Sequence, residues 1–325
     1  MKKDMKSFLA KNAIYIFLVI LVIIIGLINT SFFKVGNLTN VLIIASVRVI
    51  IALGVGGILI TKGTDLSAGR SVGLTACIAA SLMQRPDYAD KMFANLPNVP
   101  IIFAFAAAIA VGMIIGLING SVVSFLKVPP FIATLGMMVV IYGTSSIYTK
   151  AKPIGGLKDS FTNVATGKNF IVPNLILISL VIIILIWFLL NKTVFGKNVY
   201  AIGGNPVAAE VSGVKVEKNL LKVYILAGAL YGLAGTLLAA RTGGATNNYG
   251  SMYELDAIAA ATIGGVSTSG GIGRVSGIIT GVLIFEVLNN GLVILGMDAN
   301  VQQIAKGMII IAAVAIDIRK YLAKK

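Results

Sequence analysis

The chain has no histidine, one cysteine, one tryptophan and only 12 acidic residues among 325. Each scarcity removes a class of function. Without histidine, and with Cys77 alone, the commoner zinc and haem ligand sets cannot be assembled, and no disulfide can close within the chain. No paired-carboxylate motif offers general acid and base together. No Gly-x4-Gly-Lys-Ser/Thr loop cradles a nucleotide's phosphates: the glycine-rich run Gly264–Gly273 lacks the Lys-Ser/Thr that would follow, and reads as a tight turn between helices. Charged residues make up 12% of the chain, about half the share of a soluble domain. A net charge of +15 would suggest nucleic acid, yet no RNP, helix-turn-helix or zinc-finger spacing accompanies it, and no nucleic-acid partner is expected.

What is abundant is apolar sequence. Hydrophobic residues reach 57% and mean hydropathy is +0.95. Runs such as Ile14–Ile28, Val41–Ile60, Pro100–Leu126, Leu175–Leu190 and Leu220–Ala240 approach or exceed the roughly 20 residues that cross a bilayer. The pattern predicts an all-α, polytopic membrane protein forming one transmembrane domain over 1–325. About ten segments are expected, near 13–30, 40–60, 71–84, 100–125, 130–148, 173–190, 220–240, 256–267, 275–296 and 301–318. The third and eighth are too short to cross alone and adjoin glycine-rich connectors, so they read as broken helices. Lys2, Lys3 and Lys6 resemble the start of a signal peptide. No small-residue cleavage site follows before Phe32-Phe33-Lys34, so the first run reads as a transmembrane helix.

Basic residues in the connectors divide 17 to 8 in favour of the side holding both termini and residues 191–218, with Arg70 counted on that side. The bias predicts cytoplasmic N- and C-termini, although Lys150, Lys152, Lys158 and Lys168 oppose it. A weak internal repeat pairs Thr61–Gly69 with Thr262–Gly270, Gly112/Gly116 with Gly277/Gly281, and Gly136 with Gly307. The offset is five spans, an odd number, so the two halves would be inverted in the membrane.

Polar residues inside such a chain need a reason. Arg48, Asp256, Glu286 and Lys306 fall within or at the ends of spans, where a charge costs on the order of 2.5–3.5 kcal/mol by insertion scales, so each should find a partner in the bundle interior. Glu286 and Lys306, on consecutive helices, are expected to pair, either as structure or as part of a proton relay. Asp65 either caps a short helix or serves the pathway. Asn119 reads as interhelical glue or a pathway residue. Asn247, Asn248, Tyr249 and Tyr253 lie in an external connector, either where a solute or a docking protein would arrive or as ordinary loop residues. Glu254, like Asp256, reads as a pathway or structural polar residue. The spacings Gly112-x3-Gly116-x3-Gly120 and Gly228-x3-Gly232 read as faces for close helix approach.

Residues 191–218 interrupt the apolar pattern with a polar, glycine-punctuated segment. Within it Asn205 suits an N-cap, Pro206 the first helical position, and Gly213 the position past the end. The enclosed short helix, with Ala208, Ala209, Glu210 and Ser212, reads as a surface ridge for a soluble partner.

Four blocks then carry a family resemblance over essentially the whole chain: Gly63–Arg70 (GTDLSAGR), Pro130–Gly136 (PFIATLG), Ala201–Gly213 (AIGGNPVAAEVSG), and Tyr253–Ala260 (YELDAIAA) with Gly264–Ser267. Together they resemble the permease subunits of ABC importers for monosaccharides. Arg48 within SVRVIIALG, the run Thr246–Asn248, and Thr64 and Ala68 in the first block lean toward the galactose/methyl-galactoside branch rather than the ribose branch. The resemblance implies a bacterial inner-membrane location and a homodimer of permeases lining one path. It also implies a cytoplasmic ATPase gripping Asn205–Gly213, with ATP and Mg held by that partner and no cofactor here. A sugar-binding protein would dock on the outer face. A branched-chain amino acid permease, an ion-coupled secondary transporter using Glu286, Lys306 and Asp256, and a non-transporting scaffold are the competing readings.

Overall fold

The structure, a computed structural model, describes residues 2–169 and 171–322. The lysines clustered at the two extreme termini lie outside the described side chains. Thirteen helices follow in order: α1 (Lys2–Ile28), α2 (Val35–Ile60), α3 (Ala68–Leu82), α4 (Ile101–Ser124), α5 (Pro130–Thr149), α6 (Asp159–Thr166), α7 (Asn174–Lys192), α8 (Val194–Gly204), α9 (Pro206–Val211), α10 (Val216–Thr242), α11 (Tyr253–Ile263), α12 (Val275–Ile294) and α13 (Ala299–Leu322). A 3-10 turn, Thr30–Phe33, joins α1 to α2, and a minimal hairpin pairs Lys168–Asn169 with Val172–Pro173.

All ten expected spans are helical. Among the described residues, α2, α4, α5, α7, α10, α12 and α13 are long and apolar enough to cross a bilayer; Ile14–Ile28 and Ala68–Leu82 are shorter apolar helices. α11, at 11 residues, is shorter still. The two short spans are therefore where the sequence placed them.

Contacts fix the direction of each helix. At the end carrying residues 191–218, here the near end, Lys127 Nζ meets Glu217 Oε1 at 2.7 Å, and Gly271 N–H donates to the Ile60 carbonyl at 2.8 Å. At the far end isolated bridges join Gln84 to Leu157 and Ile154 to Ala245, while Asn37 and Asn290 exchange side-chain hydrogen bonds at 2.9 Å. Hence α2 runs far to near and α10 near to far. The same reversal relates α3 to α11, α4 to α12, and α5 to α13. The halves are inverted, with the five-span offset expected.

One pairing in the expected alignment is corrected. Thr61–Gly69 leads into the short helix α3, whereas Thr262–Gly270 leads out of α11. The counterpart of the α3 lead-in is the non-helical stretch 243–252 before α11. The likeness of the two glycine-rich runs arises because both must turn tightly, not because they are equivalent places. Gly136 and Gly307 do fall on equivalent helices, α5 and α13, and both face open space.

α10 is the central post, packed by α2, α3 and α4, with Tyr224 and Tyr231 wholly buried on it. Its contact with α4 is backbone against backbone. A β-carbon at Gly112 would overlap the Gly228 carbonyl, and one at Gly116 the Tyr224 carbonyl. In lipid, where apolar side chains gain nothing by leaving the solvent, this close approach is what holds helices together. Gly228→Leu is expected to shift or destroy the bundle, because a backbone clash cannot be relieved by rotating a side chain; overpacking commonly costs about 1–3 kcal/mol even where rotation is possible. Gly136→Leu, which meets nothing within 4 Å, should leave the melting temperature in detergent unchanged. A comparison of melting curves and size-exclusion profiles checks the pair. Outward, α1, α4 and α7 present Ile20, Ile24, Ile114, Leu117, Ile184 and Leu185, an apolar belt suited to acyl chains.

Candidate functional site

The ridge at the near end is built by local rules. Asn205, in extended conformation, accepts the Ala208 N–H on Oδ1 at 3.1 Å, and Pro206 occupies the first turn, where its missing N–H is not needed. At the other end Gly213 takes φ +86°. Its N–H donates to the Glu210 carbonyl at 2.9 Å and the Val214 N–H to the Ala209 carbonyl at 3.0 Å, the paired bonds of a Schellman stop. Pro206, Ala208, Glu210, Ser212 and Gly213 are exposed as expected. Ala209 is not: it turns inward against Ile202 and Val216, so it seats the helix rather than meeting a partner. The expected residues also omitted Val207 and Val211, 69% and 86% exposed, one turn apart on the outer face. Two bare valines at i, i+4 on a capped polar helix were the available signal.

A second helix missed in the same segment, α8, ties the ridge to the bundle. Thr193 caps it through Gly196 N–H at 3.2 Å. At its end a β-carbon on Gly203 would strike the Ile60 carbonyl, so α8 abuts the last residue of α2 directly. Tyr200 donates its hydroxyl to the Gly273 carbonyl at 3.1 Å, and Lys62 reaches the Gly204 carbonyl at 3.4 Å. Burial pushes the Tyr200 phenol up, with Arg274 opposing, so it stays a protonated donor. The glycine-rich loop 264–274 is thus clamped to α8. It is clamped to α13 as well: Asp317 Oδ2 accepts Thr268 N–H and Oγ1, each at 2.9 Å. Through α8 and this loop, the segment that carries the ridge touches the ends of α2, α11, α12 and α13.

Those four helices carry the intramembrane charges. Arg48 NH1 lies 3.0 Å from Asp256 Oδ2 and 2.8 Å from Glu286 Oε1, and its guanidinium stands 5.3 Å from the Tyr253 ring centroid. The Glu286 contact is a close ion pair without hydrogen-bond alignment, since Oε1 lacks a well-directed donor. Lys306 Nζ lies 3.6 Å from Asp256 and 5.9 Å from the Phe285 ring centroid. The expected Glu286–Lys306 bridge is therefore replaced: Arg48, from α2, reaches Glu286 first, and Lys306 takes Asp256. Loop length between α12 and α13 suggested neighbours in sequence; depth in the bundle decided otherwise. Arg48 and the two carboxylates line a cavity of about 10 Å³, room for one water, and Lys306 joins the cluster from outside it through Asp256.

Asp65 does not cap α3. Its Oδ1 accepts Ser67 N–H at 2.9 Å and Ser67 Oγ at 2.6 Å, shaping the lead-in, and Asn119 Nδ2 donates to Ser67 Oγ at 2.8 Å. All three are buried, so Asn119 joins α4 to this loop. The Tyr224 and Tyr231 hydroxyls are buried near Asp65 without hydrogen bonds of good geometry.

The lead-in to α11 is different. It enters from the far end at Ala245 and descends until Gly250 packs on Gly69, at the start of α3. There Asn247 Nδ2 donates to Ser146 Oγ at 3.0 Å, and Arg70 approaches Asn248 Oδ1 at 3.4 Å and Ser251 Oγ at 3.5 Å. Arg70 was assigned above to a near-end connector. It instead sits in the first turn of α3, facing a segment from the opposite side. Glu254, expected as a pathway or structural polar residue, is buried beside Gly69, with Oε2 unpaired.

Comparison with known proteins fits this architecture. A family model described as "Branched-chain amino acid transport system / permease component" matches residues 37–314. The Galactose/methyl galactoside import permease protein of Haemophilus influenzae is 50% identical, covering 98% of each chain. The protein of the same name in Escherichia coli (strain K12) is 48% identical over all of this chain and 98% of its own length. The Ribose import permease protein of Escherichia coli (strain K12) is 37% identical over 97% and 96%. No solved structure matches. An inverted helical repeat with two broken spans and a capped surface ridge, matched from residue 37 to 314, places this chain in the family of transport-system permease components.

Proposed function

We propose that this chain is the transmembrane subunit of an ATP-driven importer of galactose and methyl galactosides. Two copies form the path, a separate ATPase supplies the energy, and a sugar-binding protein delivers the substrate. The observation that carries the reading is the ridge α9: capped at both ends, bearing Val207 and Val211 outward, and preceded by α8, whose Gly203 abuts the end of α2. A chain with no phosphate-binding loop must take its energy from elsewhere, so ATP and Mg belong to the partner. The near end is then cytoplasmic, together with both termini, in keeping with the basic-residue bias. Asn205, Pro206, Ala208, Glu210, Ser212 and Gly213 form or present the docking ridge. Asp65, Asn119 and Glu254 support the broken helices, while Asn247 and Asn248 face the path.

Galactosides are favoured over branched-chain amino acids because the full-length relatives at 48–50% identity carry that name, whereas the amino-acid label belongs to the family description as a whole. Ion coupling is disfavoured by the charges themselves: Arg48, Lys306, Asp256 and Glu286 neutralise one another within one cluster instead of forming a ladder. The test is reconstitution in proteoliposomes with the ATPase and the binding protein. ATP-dependent galactose uptake, competed by methyl galactoside and not by leucine, is expected. Uptake by this chain alone under an ion gradient, or competition by leucine, would overturn the reading.

A further inference from the structure

The stretch 243–252 is irregular backbone deep in the bundle. From Arg70 to the far end of α3 is twelve residues, about 18 Å at 1.5 Å per residue, which places Arg70 and its neighbours near the middle of a hydrocarbon core about 30 Å thick. Gly250 packs against Gly69 at that depth. Yet Asn248 and Ser251 are exposed, Arg70 is partly so, and Tyr142 on α5 is 42% exposed. Irregular backbone and bare amides at mid-membrane do not face lipid; they line water or are covered by protein. The row that bears them runs from α5 through α3 and α11 to α13, with Gln303 exposed on the last. On the lipid belt the exposed mid-helix side chains described on α4 and α7 are apolar.

The cluster has the chemistry of a weak carbohydrate contact. The Arg70 guanidinium lies 4.5 Å from the Tyr142 ring centroid, and its hydrogen bonds to Asn247 O, Asn248 Oδ1 and Ser251 Oγ span 3.4–3.5 Å. Bonds that long are weak, so a hydroxyl can replace them at little cost. The arginine offers donors, the amide and hydroxyl offer both donor and acceptor, and the ring offers an apolar face to the C–H side of a pyranose. We propose that Arg70, Tyr142, Asn248 and Ser251 line the aqueous path at mid-membrane and make the passing contact with a polyhydroxylated sugar. This rests on the importer reading above. The contact is loose because three of its groups already neighbour one another, which suits a conduit that must release what it receives.

The experiment uses the complete transporter in a Cys77→Ser background, since Cys77 is the lone cysteine and is buried. Asn248→Cys and Ser251→Cys should react with a membrane-impermeant methanethiosulfonate. Ile114→Cys and Ile184→Cys, mid-helix on the lipid belt, should not. Arg70→Gln should lower the sugar moved per ATP hydrolysed by about tenfold, the worth of one charge-assisted hydrogen bond, and Tyr142→Ala, which removes the apolar face, should lower it too, with ATPase stimulation by the loaded binding protein retained in both. Tyr142→Phe, which keeps the ring, should retain more transport than Tyr142→Ala. Labelling of residues 248 and 251 no faster than the belt controls would mean that protein or lipid covers this face, and would overturn the proposal. An unchanged sugar-to-ATP ratio in both Arg70→Gln and Tyr142→Ala would overturn the contact. Failure of the importer reading shows separately, as absent ATP-driven uptake by the Cys77→Ser parent.

Discussion

Arg48→Met should all but abolish recovery of folded protein. Its guanidinium holds Asp256 at 3.0 Å and Glu286 at 2.8 Å, and those carboxyl side chains are only 12% and 4% exposed. Removing one member of a buried pair costs about 3–5 kcal/mol, because the remaining charge stays buried without its counter-charge. Here one substitution strands most of the compensation for two carboxylates, against a total stability of about 5–15 kcal/mol for a typical domain. Lys306 remains, but at 3.6 Å from Asp256 it serves only one of them. Arg48→Lys keeps a point charge and loses the planar fork, so an intermediate loss is expected. The triple variant Arg48→Met, Asp256→Asn, Glu286→Gln removes the cost by removing the charges, and its yield and detergent melting temperature should recover most of the way. Lys306, 26% exposed at its side chain, can then be solvated. If Arg48→Met alone melts like the parent, the cluster does not hold α2, α11 and α12 together.

The contrast between what was legible and what was not has a physical origin. The caps of α9 were readable because Asn205, Pro206 and Gly213 act through backbone geometry within one or two residues of themselves. The α4–α10 contact was readable because glycines at every fourth position have little use in lipid other than backbone approach. The broken helices α3 and α11 were readable from length alone. The partners of Arg48, Glu286 and Lys306 were not, because a salt bridge between spans depends on depth and rotation, and neither is written in the loops. Arg70 was misplaced for a related reason. A basic residue beside a glycine-rich block reads as a connector, and only the descent of 243–252 to meet Gly69 reveals the true depth. Val207 and Val211 were passed over because valine is unremarkable in a chain that is 57% hydrophobic, and becomes informative only once it is seen standing outside the bundle.

Val207→Asp with Val211→Asp should uncouple the protein while leaving it folded. Both side chains point away from the body, so neither contributes to the packing of Ile202, Ala209 and Val216 that seats the helix. A partner that covers them gains about 1.5–3 kcal/mol for each valine fully buried, and two aspartates would add the cost of desolvating charge. Association with the ATPase, read by co-purification, should therefore fall by more than about a hundredfold, since each 1.4 kcal/mol is tenfold. Sugar uptake should fall with it, and the melting temperature of the chain alone should hold. Gly213→Pro attacks the same ridge from within. Proline cannot adopt φ +86° and has no N–H to give the Glu210 carbonyl, so the helix loses its stop, a defect of about 3 kcal/mol confined to the ridge. The two variants act by different physics, one on the face and one on the fold of α9, so loss of coupling in both with insertion intact would assign the motor's grip to these residues. Normal ATPase binding and uptake in the double aspartate variant would mean that the motor holds this protein elsewhere.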